Sequence, residues 1–249
     1  MLIIERRSAV LIIKLNRPEK RNCLHPDLIR DLMQILTQTE NDESVNVVVL
    51  TGTGPSFCAG LDLNYLVSLD AEGKVAYMQA AFALFHQLYT LSQPVIAAIN
   101  GPAIAGGFDL AAFCDLRLCV PGATFAQTEV LLGITQIMYP IYKVIGLSRA
   151  KELALTGEAI SAEEAYRIGL VNRIYTPEEL LDQALKLAET LANRPRQALF
   201  DTKRLSLELI EMDTESAIKR MFEVISRRLR SEEHQHEIEK FIARLKDRK

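Results

Sequence analysis

The sequence predicts an α/β core followed by an all-helical tail, and three observations support this division. Short runs rich in β-branched residues alternate with segments of helical periodicity up to about residue 175. From residue 177 onward the apolar residues recur at helical spacing, and we find no convincing strand. Neither a low-complexity linker nor a repeat of fixed period interrupts the chain. We therefore expect a core over residues 1–195 and a helical region over residues 196–249.

The first half of the core reads as a hairpin, a helix and a buried strand. Two β-rich runs, residues 2–6 and 9–15, are separated by two residues and predict the hairpin. Apolar residues at helical spacing then predict an amphipathic helix from about Pro26 to Glu40. The Val-rich run Val45–Leu50 predicts a strand that is buried on both faces.

The second half of the core continues the alternation. A helix is predicted from about residue 74 to residue 91, and a buried strand over residues 94–99. The Gly106-Gly107 pair opens an apolar helix that ends near Cys114, and residues 116–120 again resemble a strand.

The tail contains three predicted amphipathic helices, over residues 180–191, 196–209 and 214–245. It ends in basic residues, which are Lys240, Arg244, Lys246, Arg248 and Lys249. We interpret them as a solvated helix face, because charged runs usually serve solubility, with phosphate contact as the alternative.

Composition and charge exclude several classes of protein. The chain has 249 residues, of which 49% are hydrophobic and 24% charged, as in an ordinary globular protein. A net charge of −3 argues against a nucleic-acid partner, and no apolar run approaches the ~20 residues that cross a membrane. The four cysteines form no C-x-x-C pair and no His/Cys cluster has zinc spacing. We expect free thiols, no metal and a cytoplasmic location.

Two glycine-containing segments, residues 56–62 and 100–110, stand out as candidates for chemistry. Each follows a buried strand and runs into a helical pattern, so backbone N–H groups are exposed where the helix begins. Glycine lets a ligand approach the backbone closely. Either turn alone could be an ordinary tight connection. Two such turns that face one point would form an oxyanion hole.

Taken together, the two turns resemble the signature segments of the crotonase (enoyl-CoA hydratase/isomerase) superfamily. Three further segments resemble the family in the same order, namely residues 15–22, 93–101 and 155–172. The resemblance runs from about residue 2 to residue 175, and the helical tail also fits it. Several motifs in order are far more specific than one glycine pair.

The resemblance implies a fold, a substrate and an assembly. The implied fold is a crotonase-like ββα spiral core with a C-terminal helical trimerisation region, and the implied assembly is a homotrimer or a dimer of trimers. The implied substrate is an acyl-CoA thioester, whose carbonyl receives the N–H groups of Leu61 and Gly106. The other residues expected around it are Lys20, Arg21, Asn22, Ala59, Gly60, Asp62 and Gly107. No cofactor or metal is implied, because the thioester and the backbone supply the activation.

Two carboxylates occupy positions where many hydratases of the family carry glutamates. Asp109 lies three residues after Gly106, and Glu129 lies 20 residues further on. Each is a candidate for acid–base work if burial raises its pKa. Asp109 is one methylene shorter than glutamate, and a shift of ~1 Å can cost on the order of 10²-fold. The alternatives are a helix residue favoured by the dipole for Asp109 and a strand-end surface glutamate for Glu129.

A further departure from the family pattern follows Gly133. Many hydratases have a glycine-rich loop there, whereas residues 134–140 of this chain are bulky, which predicts a reshaped acyl pocket. Enoyl-CoA hydratase remains the leading hypothesis. A Δ3,Δ2-enoyl-CoA isomerase that uses Glu129 alone is the nearest alternative, and a non-catalytic acyl-CoA-binding subunit is another.

Overall fold

A computed structural model of the protein describes residues 1–246. The chain forms two compact units, one over Met1–Glu189 and a second that begins at Thr190. Within the described range no helix is long and apolar enough to cross a membrane. Arg248 and Lys249, the last members of the predicted basic run, lie outside the described residues.

The first unit is built on two β-sheets, one of six strands and one of three. The strands in chain order are β1 Leu2–Arg7, β2 Val10–Leu15, β3 Val47–Gly52, β4 Val95–Ile99, β5 Ala103–Ile104, β6 Leu116–Cys119, β7 Thr124–Ala126, β8 Ile160–Ser161 and β9 Arg173–Ile174. The larger sheet has the order β1-β2-β3-β4-β6-β9 and is parallel except for the β1–β2 hairpin. In the smaller sheet β7 lies between β5, to which it is parallel, and β8, to which it is antiparallel.

Helices follow most of the strands, and the second unit, as far as the structure describes it, consists of helices and the short segments that connect them. They are α1 Pro26–Glu40, α2 Leu63–Val67, α3 Ala71–Thr90, α4 Gly106–Ala112, α5 Ile141–Ile145, α6 Leu147–Thr156, α7 Ala162–Arg167, α8 Pro177–Ala192, α9 Arg196–Leu209, α10 Thr214–Leu229 and α11 Glu232–Lys246. Short 3₁₀ helices span Pro18–Lys20 and Glu129–Leu132. The prediction of a single helix over residues 214–245 is wrong, because the helix is interrupted between α10 and α11. There Ser231 accepts the N–H of His234 and begins a new helix.

Helix α1 shows how the sequence pattern determines a whole element. His25 accepts the N–H of Asp27 at 3.3 Å and Pro26 occupies the first turn, so the helix begins where both residues favour a start. Leu28, Leu32 and Leu36 lie one turn apart and are completely buried. Burial of each such side chain stabilises the fold by roughly 1.5–3 kcal/mol. The predicted bounds of this helix are those of the structure.

The parallel strands β3 and β4 bring the two glycine-containing turns to the same edge of the larger sheet. Both turns begin at the carboxyl ends of these strands, where ligands of open α/β sheets commonly bind. Asn100 joins the turns, because its side chain accepts the N–H of Gly52 at 3.0 Å and donates to the Gly54 carbonyl at 2.8 Å. The sheet thus fixes where the candidate site lies.

Candidate active site

The two glycine-containing turns are hydrogen-bonded to each other. Cys58 and Ala103 form an isolated parallel bridge, and the N–H of Ile104 donates to the Cys58 carbonyl at 3.0 Å. This pairing presses helix α4 against the first turn. A Cβ atom added to Gly107 would lie 2.0 Å from the Cys58 carbonyl oxygen, so only glycine fits there.

The pairing brings Leu61 and Gly106, the two predicted oxyanion donors, next to each other. A Cβ added to Gly106 would lie 3.7 Å from the Leu61 nitrogen, and one added to Gly60 would lie 3.1 Å from the Gly106 nitrogen. Gly60 has φ of +85°, a conformation that favours glycine. Both donor residues line one cavity. Their role toward a substrate stays a prediction.

That cavity has a volume of about 490 Å³, within the range of small-molecule sites. Its wall is mostly apolar. Besides the two donor residues it is formed by Ala59, Leu63, Leu66, Met78, Ala81, Phe82, Phe85, Ala105, Asp109, Thr128, Glu129, Leu132, Gly133, Ile134, Thr135 and Ile137. The arrangement suits a flexible apolar group that ends in a polar head held by a few directed contacts.

Asp109 lies in the first turn of α4 and is 1% exposed. Burial raises its pKa well above the ordinary value, and the nearby charge of Glu129 raises it further, whereas a hydrogen bond with Gln127 acts in the opposite direction. Its Oδ2 atom is buried and has no hydrogen-bond partner among residues 1–246. A buried polar atom of this kind is expected to find its partner in a ligand or a water.

Glu129 lies at the start of a 3₁₀ helix, three residues beyond the end of β7, and faces the same cavity. Burial raises its pKa. Its Oε2 atom is also buried without a partner in the part of the chain that the structure describes. The β5–β7 pairing brings it there, since Ile104 pairs with Ala126 and Ala105 donates to the Ala126 carbonyl at 2.8 Å.

The expected ligand-binding residues before α1 lie elsewhere. Lys20 and Arg21 are exposed and do not line the cavity. Asn22 is completely buried, and its amide donates to the carbonyls of Thr53 and Ser56 at 2.9 and 2.8 Å. The structure thus shows Asn22 as a residue that shapes the turn, and contact of Lys20, Arg21 and Asn22 with a substrate stays a prediction.

Asp62 is held by contacts with residues that do not line the cavity. Its carboxylate receives the Nη1 of Arg17 at 3.2 Å and the N–H of Tyr65 at 3.3 Å. Burial alone would raise the pKa of Asp62, but hydrogen bonds from Tyr65, Cys23 and Arg17 hold it below its ordinary value. The structure thus shows Asp62 as an anchor of the first turn, and contact with a substrate stays a prediction.

Sequence reasoning missed Gln127 as a member of the site. Its side chain is completely buried, bonds Asp109, and donates to the Ile137 carbonyl at 2.8 Å. An amide that directly follows the apolar run of β7 is the signal that could have revealed it. Among residues 1–246 no cluster of three His, Cys, Asp or Glu side chains could hold a metal, and all four cysteines are free and buried.

Comparison with known proteins agrees with this geometry. A sequence model described as enoyl-CoA hydratase/isomerase matches residues 5–248. The crotonyl-CoA hydratase of Syntrophomonas wolfei is 33% identical over 87% of this chain and 85% of its own length. The short-chain-enoyl-CoA hydratase of Clostridium acetobutylicum is 31% identical over 98% and 95%. The crystal structure of an enoyl-CoA hydratase from Bacillus anthracis superposes with a TM-score of 0.95 at 30% identity, over 98% of this chain and 96% of that one. The predicted fold class is confirmed, and the chain belongs to the enoyl-CoA hydratase/isomerase family.

Proposed function

We propose that this protein is an enoyl-CoA hydratase, which adds water reversibly across the 2,3 double bond of a coenzyme A thioester. One observation carries the proposal. Asp109 and Glu129 each present a buried, unpartnered oxygen among the described residues, beside the adjacent backbone nitrogens of Leu61 and Gly106 in one apolar cavity. Polarising donors, a pair of acid–base groups and an acyl pocket are what this reaction requires.

The backbone donors activate the substrate. When the N–H groups of Leu61 and Gly106 bond the thioester oxygen, they withdraw electrons from the double bond and make Cβ electrophilic. They also stabilise the enolate that forms once water has attacked. Removal of one such donor typically costs roughly 10²–10³ in rate.

The two carboxyl groups handle the protons of the added water. The ionised member of the pair takes a proton from water as the oxygen bonds to Cβ, and the protonated member supplies a proton to Cα. The pair therefore has to carry one proton. In the free protein, burial and the charge of Glu129 raise the pKa of Asp109, which favours Asp109 as the residue that carries this proton. In the reverse reaction the same two groups exchange roles.

The named relatives support this choice of reaction. The Syntrophomonas protein carries the name crotonyl-CoA hydratase and the Clostridium protein the name short-chain-enoyl-CoA hydratase. We propose an acyl-CoA substrate on this basis, with no cofactor beyond the coenzyme A of the substrate itself. A cytoplasmic location stays a prediction.

A second candidate is a Δ3,Δ2-enoyl-CoA isomerase. It is favoured by the burial of Asp109, which raises the pKa of that group and disfavours the ionised form that a base requires. Isomerisation moves one proton between carbon atoms and adds no water. Glu129 alone could take the proton from one carbon and return it to the other.

One experiment separates these candidates. Mixed 2- and 3-enoyl-CoA thioesters are incubated with the protein in D₂O, and mass and double-bond position are followed. A gain of one water on 2-enoyl substrates establishes hydration, whereas migration of the double bond without added water establishes isomerisation. In Asp109→Asn, hydration should fall by about 10²-fold while isomerisation survives. No turnover in any substrate, together with tight coenzyme A binding, would instead indicate a non-catalytic binding subunit.

We also propose a homotrimer or a dimer of trimers. Helix α10 carries apolar side chains at helical spacing, and Ile218, Phe222, Ile225 and Leu229 are all more than half exposed in the single chain. An apolar stripe of this kind is typical of a surface that is covered in an assembly. Sedimentation analysis of the wild type and of Phe222→Glu tests this, because the charged variant should shift toward the monomer.

A further inference from the structure

The peptide groups on either side of Leu61 are held by two different contacts. On the side before it, the N–H of Leu24 donates to the Gly60 carbonyl at 2.7 Å. On the side after it, the Tyr77 hydroxyl accepts the N–H of Asp62 at 3.0 Å and donates to the Leu24 carbonyl. Leu24 and Leu61 form a parallel bridge. Beside this bridge, the Tyr77 hydroxyl links the N–H of Asp62 to the carbonyl of Leu24.

These contacts determine the direction of the Leu61 N–H. Because a peptide group is planar, fixing the Gly60 carbonyl also fixes the Leu61 N–H that shares its plane. The next plane, which carries the Asp62 N–H, is fixed by Tyr77. With both planes held, the backbone dihedrals of Leu61 have little freedom, and its N–H points in one direction.

Tyr77 is itself rigidly placed. Its side chain is 4% exposed, and its ring meets the ring of Tyr65 edge to face at 5.2 Å. Burial raises the pKa of the Tyr77 hydroxyl, so it stays protonated and can donate to Leu24 while it accepts from Asp62. Tyr77 does not line the cavity, although the next residue of α3, Met78, does.

We propose that Tyr77 is a positioning residue that aims the Leu61 N–H at the thioester carbonyl oxygen. The proposal rests on the proposed function, in which that N–H is an oxyanion donor. Tyr77 acts through the backbone and touches neither the substrate nor the reacting atoms. Loss of its hydroxyl leaves the apolar pocket in place and loosens one of the two donors, so it weakens polarisation more than binding.

The test compares the wild type with Tyr77→Phe. The kcat for 2-hexenoyl-CoA should fall by about tenfold, less than the ~10²–10³ that loss of a whole donor costs. The KM, and the Kd of hexanoyl-CoA, should change by about twofold or less, because the binding contacts remain. Tyr166→Phe is the matched control, since Tyr166 is 55% exposed on α7 and should leave both constants unchanged.

A spectroscopic readout distinguishes positioning from a general loss of structure. Hexanoyl-CoA carrying ¹³C at the thioester carbonyl is bound to each protein, and the isotope-edited infrared spectrum gives its carbonyl frequency. Binding to the wild type and to Tyr166→Phe should lower the frequency, whereas binding to Tyr77→Phe should lower it clearly less. An equal shift in Tyr77→Phe and the wild type would overturn the inference and leave the proposed function standing. The absence of a shift and of turnover in the wild type would overturn the proposed function itself.

A second substitution covers the case in which Tyr77→Phe does not fold. Placing 4-aminophenylalanine at position 77 keeps the size of the ring and a donor toward the Leu24 carbonyl, but offers the Asp62 N–H a weaker acceptor. Its kcat and its carbonyl shift should fall below those of the wild type while it binds hexanoyl-CoA. Wild-type values of both would overturn the proposal.

Discussion

Two parts of the cavity wall differ in what holds them in place. The donor wall, residues 59–61 and 105–109, is flanked by backbone hydrogen bonds between its two turns, and an added Cβ would clash at both Gly60 and Gly107. The acyl wall, residues 132–137 together with Phe82 of α3, has no such pairing between two turns and includes the bond from Gln127 to Ile137. A Cβ added to Gly107 would meet Cys58, whereas one added to Gly133 would meet nothing within 4 Å.

The difference shows where this protein requires precision. Polarisation of a carbonyl depends on donor positions to within a fraction of an ångström, so the donor wall is built from paired backbone and glycine. Apolar contact with an acyl chain has no direction and tolerates different shapes. The bulky acyl wall can thus depart from the family's glycine-rich pattern while the donor wall keeps its motifs.

The largest expected effect lies at Glu129, which lines the same cavity as both walls. Glu129→Gln removes a group that takes or gives a proton, and kcat for 2-hexenoyl-CoA should fall by about 10²–10⁴-fold. The fall in kcat is measured from the rate of hydration in quenched assays. Glu178→Gln, at an exposed position of α8, is the control and should leave kcat unchanged. Full turnover by Glu129→Gln would show that the acid–base assignment is wrong.

The donor wall itself is tested at Gly60. Gly60→Ala forces a side chain into a backbone of φ +85° and to within 3.1 Å of the Gly106 nitrogen, so both donors should shift. We expect kcat to fall by roughly 10²-fold, as when one donor is lost. Gly122→Ala is the control, because its added Cβ meets no atom within 4 Å. Equal activity of the two variants would contradict the rigidity ascribed to the donor wall.

The sequence predicted the donor wall far better than the acyl wall, for a physical reason. The residues of the donor wall lie within strand–turn–helix segments that can be recognised from the local sequence. The glycines in these segments indicate where the backbone approaches another part of the chain closely. Helix α1 was predicted at Pro26–Glu40 because its apolar period and its first-turn proline agree. The family and the hydratase-type fold likewise followed from ordered motifs.

Contacts between distant segments could not be predicted in the same way. Tyr77 lies 53 residues from the carbonyl to which it donates, and no local pattern marks that partner. Helix α2 has only five residues and no periodicity to detect. The break between Leu229 and Glu232 could not be predicted, because neither glycine nor proline marks it in the sequence. The burial of Asp109, on which its protonation depends, is also a property of the assembled core.

The acyl wall should tolerate change, with consequences for specificity. Phe82 lines the cavity from α3 and is 49% exposed, so Phe82→Ala opens the cavity toward solvent without leaving a buried hole. The kcat/KM ratio of 2-dodecenoyl-CoA to crotonyl-CoA should rise by about tenfold. Val75→Ala, at an exposed position on the same helix but off the cavity wall, should leave the ratio unchanged. If Phe82→Ala lowered kcat equally for both substrates, the reaction would depend on the exact shape of the acyl wall as much as on that of the donor wall.

The last expected effect concerns stability rather than rate, through the proton on Asp109. Its pKa is raised above 3.8 in the folded state, so from about pH 4 upward the folded protein keeps a proton that the unfolded chain has released. The free energy of unfolding that depends on this group is greatest below pH 4 and declines as pH rises toward the raised pKa. Asp109→Asn carries no such group. Its stability relative to the wild type should therefore increase with pH, by about 1.4 kcal/mol for each unit of pKa shift.

Urea unfolding of both proteins at pH 4.5, 6 and 8 measures this difference, and Glu129→Gln shows its origin. Because the charge of Glu129 raises the pKa of Asp109, its neutral replacement should lower that pKa and reduce the pH-dependent gain of Asp109→Asn. An unchanged gain would mean that burial alone holds the proton on Asp109. The two carboxyl groups would then titrate independently, and the pKa of Asp109 would depend on its burial in the donor wall and not on the charge of Glu129.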